Sequence, residues 1–423
     1  MSDFSLGGLS LDDPAPVPYD LLLDIFKLAA DDSDLLGRGP LLAISQVCRH
    51  WRDSALESPV LWSTFAADAR GTISHLQLLQ LYLQRSRDLP LSVRLHSRWE
   101  SEEDPRRPVL VALLTLLAEH SDRLFSLQFT GSWYDIQISE FRGRLPRLEI
   151  LGLCSISLCE SLQFQLAPRL HTLRAEAGCI TTGDSGRRRP WELIPCAQIR
   201  SLVISQHFSW PTPDDAGLQL EEFSNLTNLK YIIRPGNGSR ILSVWGTRSA
   251  PFLLPHLTTW CIDYEGPESF FKISELAEMS DHFTIPTLKS LDIIYFADPA
   301  HLCSFLYRSG CALTHLTLRR SSIRAGEMLD ILEAVPALES LLIDNGYMFQ
   351  WTKLLDMLQS RVDVGSESKL GLVELVLPRG SVEEEDLMRL KGFVGIHVSV
   401  VFVDKTNSVY QEACLKQRRF LLV

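Results

Sequence analysis

The string Leu313-Thr314-His315-Leu316-Thr317-Leu318 returns as Leu338-Glu339-Ser340-Leu341-Leu342-Ile343, and an earlier copy stands at Leu124-Phe125-Ser126-Leu127-Gln128-Phe129. Its later apolar residues alternate with other residues, the period of an extended strand that buries one face and leaves the other open. Further copies begin at Leu148, Leu170, Ile199, Leu229, Leu257, Leu288 and Leu372, at intervals of 22 to 34 residues. A period in this range marks an array. One unit cannot cover its own apolar faces, whereas stacked units share a continuous core.

Several intervals carry helical periodicity, at Phe270 to Met279, His301 to Tyr307, Met328 to Val335 and Leu354 to Leu358, so the unit reads strand, turn, helix, turn. It resembles a leucine-rich repeat, over residues 109–403. The resemblance implies an α/β solenoid with parallel strands on a concave side and helices on a convex side. The Asn that usually follows the strand is missing, with Ser132, Ile156, Gly178 and Ser321 at the places where it would fall. Loops rich in turn formers are expected near Gly183 to Trp191, Ser209 to Gly217, Pro235 to Ser239 and Gly365 to Ser368. Val398 to Val403 is a last β-rich stretch, and 404–423 is expected to cap the open end.

Alternation places Ser126, Gln128, Arg174, Glu176, Ser205, Asp263, Asp292, Arg319 and Asp344 on the concave side. Arg174, Glu176, Asp263, Asp292, Arg319 and Asp344 are the residues expected to hold a protein target there, because a face of mixed sign suits one particular partner. Residues 67–108 read as a connecting unit, with a helix over His75 to Arg85, a strand at Leu91 to Leu95 and a Pro-broken loop from Trp99 to Pro108; Val109 to Glu119 is helical again.

Ahead of this lies Pro40-Leu-Leu-Ala-Ile-Ser-Gln-Val-Cys-Arg-His-Trp-Arg-Asp-Ser-Ala-Leu-Glu-Ser-Pro-Val-Leu-Trp-Ser63. Read as one helix, it lines Leu41, Ile44, Cys48, Trp51 and Ala55 along a face, with Pro40 at its first position and Pro59 ending it before Leu61 and Trp62. Upstream, Pro18 opens a second helix with Asp20 in its first turn and Leu21, Leu22, Ile25, Phe26 and Ala29 on its apolar face. Some fifty residues cannot bury that much Leu, Phe and Trp surface unaided, so a partner is implied.

The order Val17-Pro18, Asp20-Leu21-Leu22, Ile25-Phe26, Val47-Cys48-Arg49, Trp51-Arg52, Ala55, Pro59 and Leu61-Trp62 resembles an F-box of the variety common in fungal proteins, over residues 16–66. The resemblance implies a three-helix domain that docks on a Skp-family adaptor through Pro18, Leu21, Leu22, Ile25, Phe26, Val47, Cys48, Trp51, Leu61 and Trp62. Through the adaptor it implies a cullin–RING ubiquitin ligase, with this chain as a non-catalytic target receptor. An interaction scaffold that binds the adaptor without delivering targets is the alternative. Val17 stands in place of the usual leading Leu, and Asp31 to Gly39 is longer than the compact pattern.

Composition narrows the classes. The 423 residues are 45% hydrophobic and 22% charged, a globular balance long enough for a domain and an array. A net charge of −11 argues against nucleic acid, and the absence of a run of ~20 apolar residues argues against a membrane span. Residues 1–15, acidic and Gly-rich, are expected to be a disordered tail, and the chain to be cytoplasmic, nuclear or both. Nine cysteines lack metal spacing, Cys154 and Cys159 included, so no metal or cofactor is expected. The sequons at Asn225 and Asn237 and the run Arg187-Arg188-Arg189 carry no function in this reading, and Glu383 to Asp386 suits a helix start. Phosphate loops, nucleophile elbows and zinc helices are absent, which argues against catalysis.

Overall fold

The computed structural model describes residues 17–31, 40–68, 73–98, 107–132, 141, 145–153, 164–176, 194–207, 220–234, 251–264, 280–294, 298–320, 323, 325–344, 356, 372–378 and 397–403. Helices α1 (Tyr19–Asp31), α2 (Pro40–Ile44) and α3 (Arg49–Glu57) come first, and a 3-10 turn at Pro59–Trp62 leads into strand β1 (Thr64–Asp68). Then follow α4 (Ile73–Arg85), β2 (Leu91–Arg98), α5 (Arg107–Glu119), β3 (Leu124–Ser132), β4 (Ile150–Leu153), β5 (Thr172–Glu176), β6 (Ser201–His207) and β7 (Asn228–Arg234). The rest are β8 (Phe252–Leu253), β9 (Thr259–Tyr264), β10 (Phe283–Thr284), β11 (Ser290–Ile294), α6 (Pro299–Ser309), β12 (His315–Arg319), α7 (Ala325–Ala334), β13 (Ser340–Asp344), β14 (Leu372–Pro378) and β15 (His397–Val403).

Among the described residues thirteen strands form one parallel sheet in chain order, and β8 and β10 pair separately. This is the α/β solenoid-like arrangement expected of leucine-rich-repeat-like units. Register is uniform: Leu151, Leu173, Leu202, Leu229, Trp260, Leu291, Leu316, Leu341 and Val373 are neighbours on successive strands, all buried. Two residues on, Leu153, Ala175, Ile204, Tyr231, Ile262, Ile293, Leu318 and Ile343 make a second buried row. Helices cover this face, α5 with Leu110, Leu113 and Leu117, α6 with Leu302, Phe305 and Leu306, and α7 with Met328, Ile331 and Leu332.

The structure shifts several expectations. The sheet begins at β1, so the connecting unit 67–108 adds α4 and β2 to the same array, because Phe65 and Val93 are already in register with Leu127. The unit read from Leu229 starts three residues earlier, at buried Leu226, since Leu229 itself pairs with Leu202 and Trp260. At the far end Leu372 is out of phase, aligned with Ser340, and Val373 is the residue beside Leu341. The helix read as continuous from Leu41 to Ala55 breaks after α2: Cys48 is extended (φ −155°, ψ 173°), and its thiol accepts from the Trp51 N–H to cap α3. Between β4 and β7 the described connections include single 3-10 turns at Phe164–Leu166, Cys196–Gln198 and Leu220–Glu222.

One device escaped the sequence reading. Tight turns precede the strands, closed by Leu148 N–H to Leu145 C=O, Leu170 to Ala167, Leu257 to Leu254, Leu288 to Ile285 and Leu338 to Val335. Their second residue is Pro146, Pro168, Pro255, Pro286 and Pro336, whose fixed φ suits that position and whose missing N–H is not needed there. The recurrent proline before the leucine was the signal. The expected Asn positions Ile156, Gly178 and Ser321, the tail 1–15, the loops near 183–191, 209–217, 235–239 and 365–368, the helix at 270–279, residues 383–386 and the cap 404–423 lie outside the described residues, as does nearly all of 354–358.

Candidate protein-docking surfaces

Helix α1 carries two apolar stripes. Leu22 and Phe26, with half-buried Ala29 one turn on, face inward and pack with Leu41, Ile44, Ala55, Leu61 and Trp62. Phe26 meets Trp51 edge to face at 5.2 Å, and the Trp62 indole N–H donates to the Ala55 carbonyl at 2.8 Å. The second stripe is Leu21, Ile25 and Leu28, at spacings of four and three, exposed at 57%, 47% and 71%. A helix covering one core needs one stripe, and among the described residues nothing covers the second. Val17, Tyr19, Val47, Leu56 and Val60 are exposed with it.

The residues assigned to docking by resemblance therefore divide. Pro18, Leu21, Ile25, Val47 and Cys48 are exposed, Trp51 is half-buried, and Leu22, Phe26, Leu61 and Trp62 form the inner core. Leu28, Tyr19, Leu56 and Val60 stand outside that set and are exposed as well, Leu28 as the i+7 member of the second stripe.

The open face of the sheet holds the other candidates in two rows. Arg174 is in line with Lys230, Cys261 and Asp292 through Val203; Glu176 is in line with Ser205, Ile232, Asp263, Ile294, Arg319 and Asp344, two residues further along the strands. Arg174 is exposed and Glu176 half-buried. From β7 onward the charges are taken up by one another. Asp263 is 1% exposed and lies 3.3 Å from Lys230 while accepting from the Tyr264 N–H. Arg319, its side chain 11% exposed, grips Asp292 with Nε at 3.0 Å and a second nitrogen on the other oxygen. Burial alone would lower the Arg319 pKa, but the Asp292 carboxylate outweighs it and holds the guanidinium above its ordinary value. Burial pushes the thiol of Cys261, beside Asp292, up to about 12, so it is a neutral donor to that carboxylate. Asp344 is buried as well.

Among the described residues no group of three or more His, Cys, Asp or Glu side chains is placed to hold a metal ion, and no helix is long and apolar enough to cross a membrane. No curated protein matches the chain. A crystal structure of a Bacteroides fragilis protein aligns at 12% identity and a TM-score of 0.26, covering 73% of this chain and 64% of that one, so the chain spans less than two thirds of its length. The F-box-like family matches residues 17–67. That match covers α1, which carries both apolar stripes, together with α2, α3 and the Pro59–Trp62 turn. Residues 17–67 are an F-box-like domain.

Proposed function

We propose that the chain is the target-recognition subunit of a Skp–cullin–F-box ubiquitin ligase, non-catalytic itself, docking on the Skp-family adaptor with its N-terminal helices and holding a protein target on its repeat array. The observation that carries this reading is the uncovered stripe Leu21, Ile25 and Leu28 beside exposed Val47 and Val60, on a domain whose core is already complete. An apolar set of this size on a short helical unit is a docking surface, and its central members would supply most of the binding energy. On the array, Arg174 and Glu176 lie outside the Asp292–Arg319 and Lys230–Asp263 pairs. Arg174 is exposed on the open face, whereas Arg319 is shielded.

The test is reciprocal capture with purified Skp-family adaptor and cullin, followed by protein levels in cells expressing a chain that lacks residues 16–66. Capture by the full chain, and accumulation of an array-bound protein with the shortened one, is the expected result. Adaptor capture without any protein changing in level would leave the scaffold reading standing.

A further inference from the structure

Arg147, Arg169 and Arg200 stand exposed where the chain enters β4, β5 and β6, and among the described residues none of their side chains has an ion-pair or hydrogen-bond partner. Arg147 and Arg169 hold the third position of their entry turns, Leu145–Leu148 and Ala167–Leu170. In later turns that position ties one repeat to the one before: Gln198 donates to the Ala167 carbonyl at 2.6 Å, Asn225 to Ala197 at 2.6 Å and Thr287 to Pro255 at 2.9 Å. The two arginines make no such tie. Instead they set like charges on neighbouring repeats, at a strand spacing of ~4.8 Å, where an amide would have stabilised the stack.

Arg200 stands one row further on, two residues beyond Gln198, at the position that His171 and Glu149 fill in the two repeats before it. Those two pair with each other at 3.3 Å, which engages the Glu149 carboxylate with the imidazole. Beyond Arg200 a groove opens, lined by Cys196, Gln198, Arg200, Glu222, Asn225 and His256 among others. Its lining holds both a guanidinium, Arg200, and a carboxylate, Glu222.

We propose that this strand-entry edge of β4 to β6 is a docking surface for an acidic peptide segment of a protein partner. Its carboxylates lie against Arg147, Arg169 and Arg200, whose planar forks take a carboxylate two-handed, and the residue that follows, neutral or basic, enters the groove toward Glu222. A nucleic acid fits less well, because its evenly spaced phosphates would also meet Glu149, Glu221 and Glu222, where a peptide can place a neutral or basic residue. The inference rests on the array being the target-holding part of the receptor, and it adds the class of segment held and its place at the sheet's edge.

The test is fluorescence anisotropy of the full chain, co-expressed with the adaptor where solubility requires it, with labelled hexaglutamate, hexalysine and hexauridylate as probes. Hexaglutamate should bind best, and R147E/R169E/R200E should weaken it about tenfold or more, since three exposed pairs turn into repulsions. If the triple variant unfolds by circular dichroism, Arg169→Gln alone is read, with a loss of about threefold expected. Unchanged hexaglutamate binding in the folded variant, or tighter binding of hexauridylate or hexalysine, overturns the proposal. Adaptor binding, measured on the same samples, is expected to be unaffected by these variants; failure of the wild-type chain to bind adaptor would count against the ligase role and not against this edge.

Discussion

Trp62 and Tyr82 meet edge to face with ring centroids 5.0 Å apart, and through them the F-box-like domain and the repeat array share one core. Phe65 of β1 packs on the same Tyr82 at 5.2 Å, and the Arg85 guanidinium lies 4.5 Å over the Trp62 ring. The last turn of the N-terminal domain is therefore also the first packing layer of the sheet. A partner bound to α1 and one bound to the array are held by a single packed body.

Trp62→Ala should act on both parts together. The side chain is 1% exposed, and its loss leaves a cavity and an unmade bond at Ala55, a cost of about 3–5 kcal/mol. Urea unfolding of the full chain should show a lower midpoint for the helical domain and for the start of the sheet alike. A loss confined to adaptor affinity, with the unfolding curve unchanged, would contradict this placement.

Leu21→Asp and Ile25→Asp should do the reverse. Both side chains are exposed, so stability should move by no more than about 0.5 kcal/mol. Adaptor affinity should fall by at least ~2 kcal/mol, about thirtyfold, if the outer stripe is the docking face. Isothermal titration beside a thermal melt separates the two quantities, and retained affinity in a folded double variant would remove the stripe from the interface.

The Asp292–Arg319 pair is expected to be structural. Arg319→Ala leaves the partly shielded Asp292 carboxylate without its partner, and Asp292→Asn leaves a guanidinium short of its counter-charge, each costing roughly 1.5–3 kcal/mol. A double-mutant cycle should show a coupling of about 1 kcal/mol or more, because the grip is two-handed and largely shielded from water. Independent, additive effects of the two changes would mean that the pair contributes nothing as a pair.

Alkali should loosen the array. Burial raises the thiols of Cys196 and Cys261 from an ordinary value of 9.0 to about 12. Between these values the folded chain keeps protons that the unfolded chain releases, so stability is fully present below pH ~9 and falls as pH rises toward ~12. Urea midpoints measured at pH 8 and at pH 10.5 should drop less for Cys196→Ala than for the wild type. Exposed Cys48 should react with an alkylating agent at pH 8 while Cys196 and Cys261 stay protected in the folded state.

The amide tie at Asn225 gives a last check. Asn225→Ala removes the bond to the Ala197 carbonyl and should cost about 1 kcal/mol, read as a shift in the unfolding midpoint. A shift near zero would mean that the entry turns are held by their backbone bonds alone.

Local periodicity determined a great deal. Alternation of apolar residues over a few positions specified most of the strands, and the order of Leu, Phe, Trp and Pro residues specified the N-terminal domain, because both patterns arise from which side of a short element meets a core. Phase was less legible. Leu226 and Leu229 are both apolar and three apart, so the string alone does not say which begins the unit; only pairing with Leu202 and Trp260 decides it.

Function within a stripe also needed the tertiary structure. Leu21 and Leu22 are adjacent and chemically alike, yet one is exposed and the other has no exposed surface, since the packing of α2 and α3 selects which stripe of α1 becomes core. The same holds for charge on the sheet. Arg174 and Arg319 have the same alternation in sequence, but Asp292, on the neighbouring strand and two residues out of line, pairs with Arg319 and shields it, while Arg174 stays exposed. Sequence determined which residues could form the faces of this protein. Long-range pairing between strands 25 or more residues apart decided which of those faces remained for a partner.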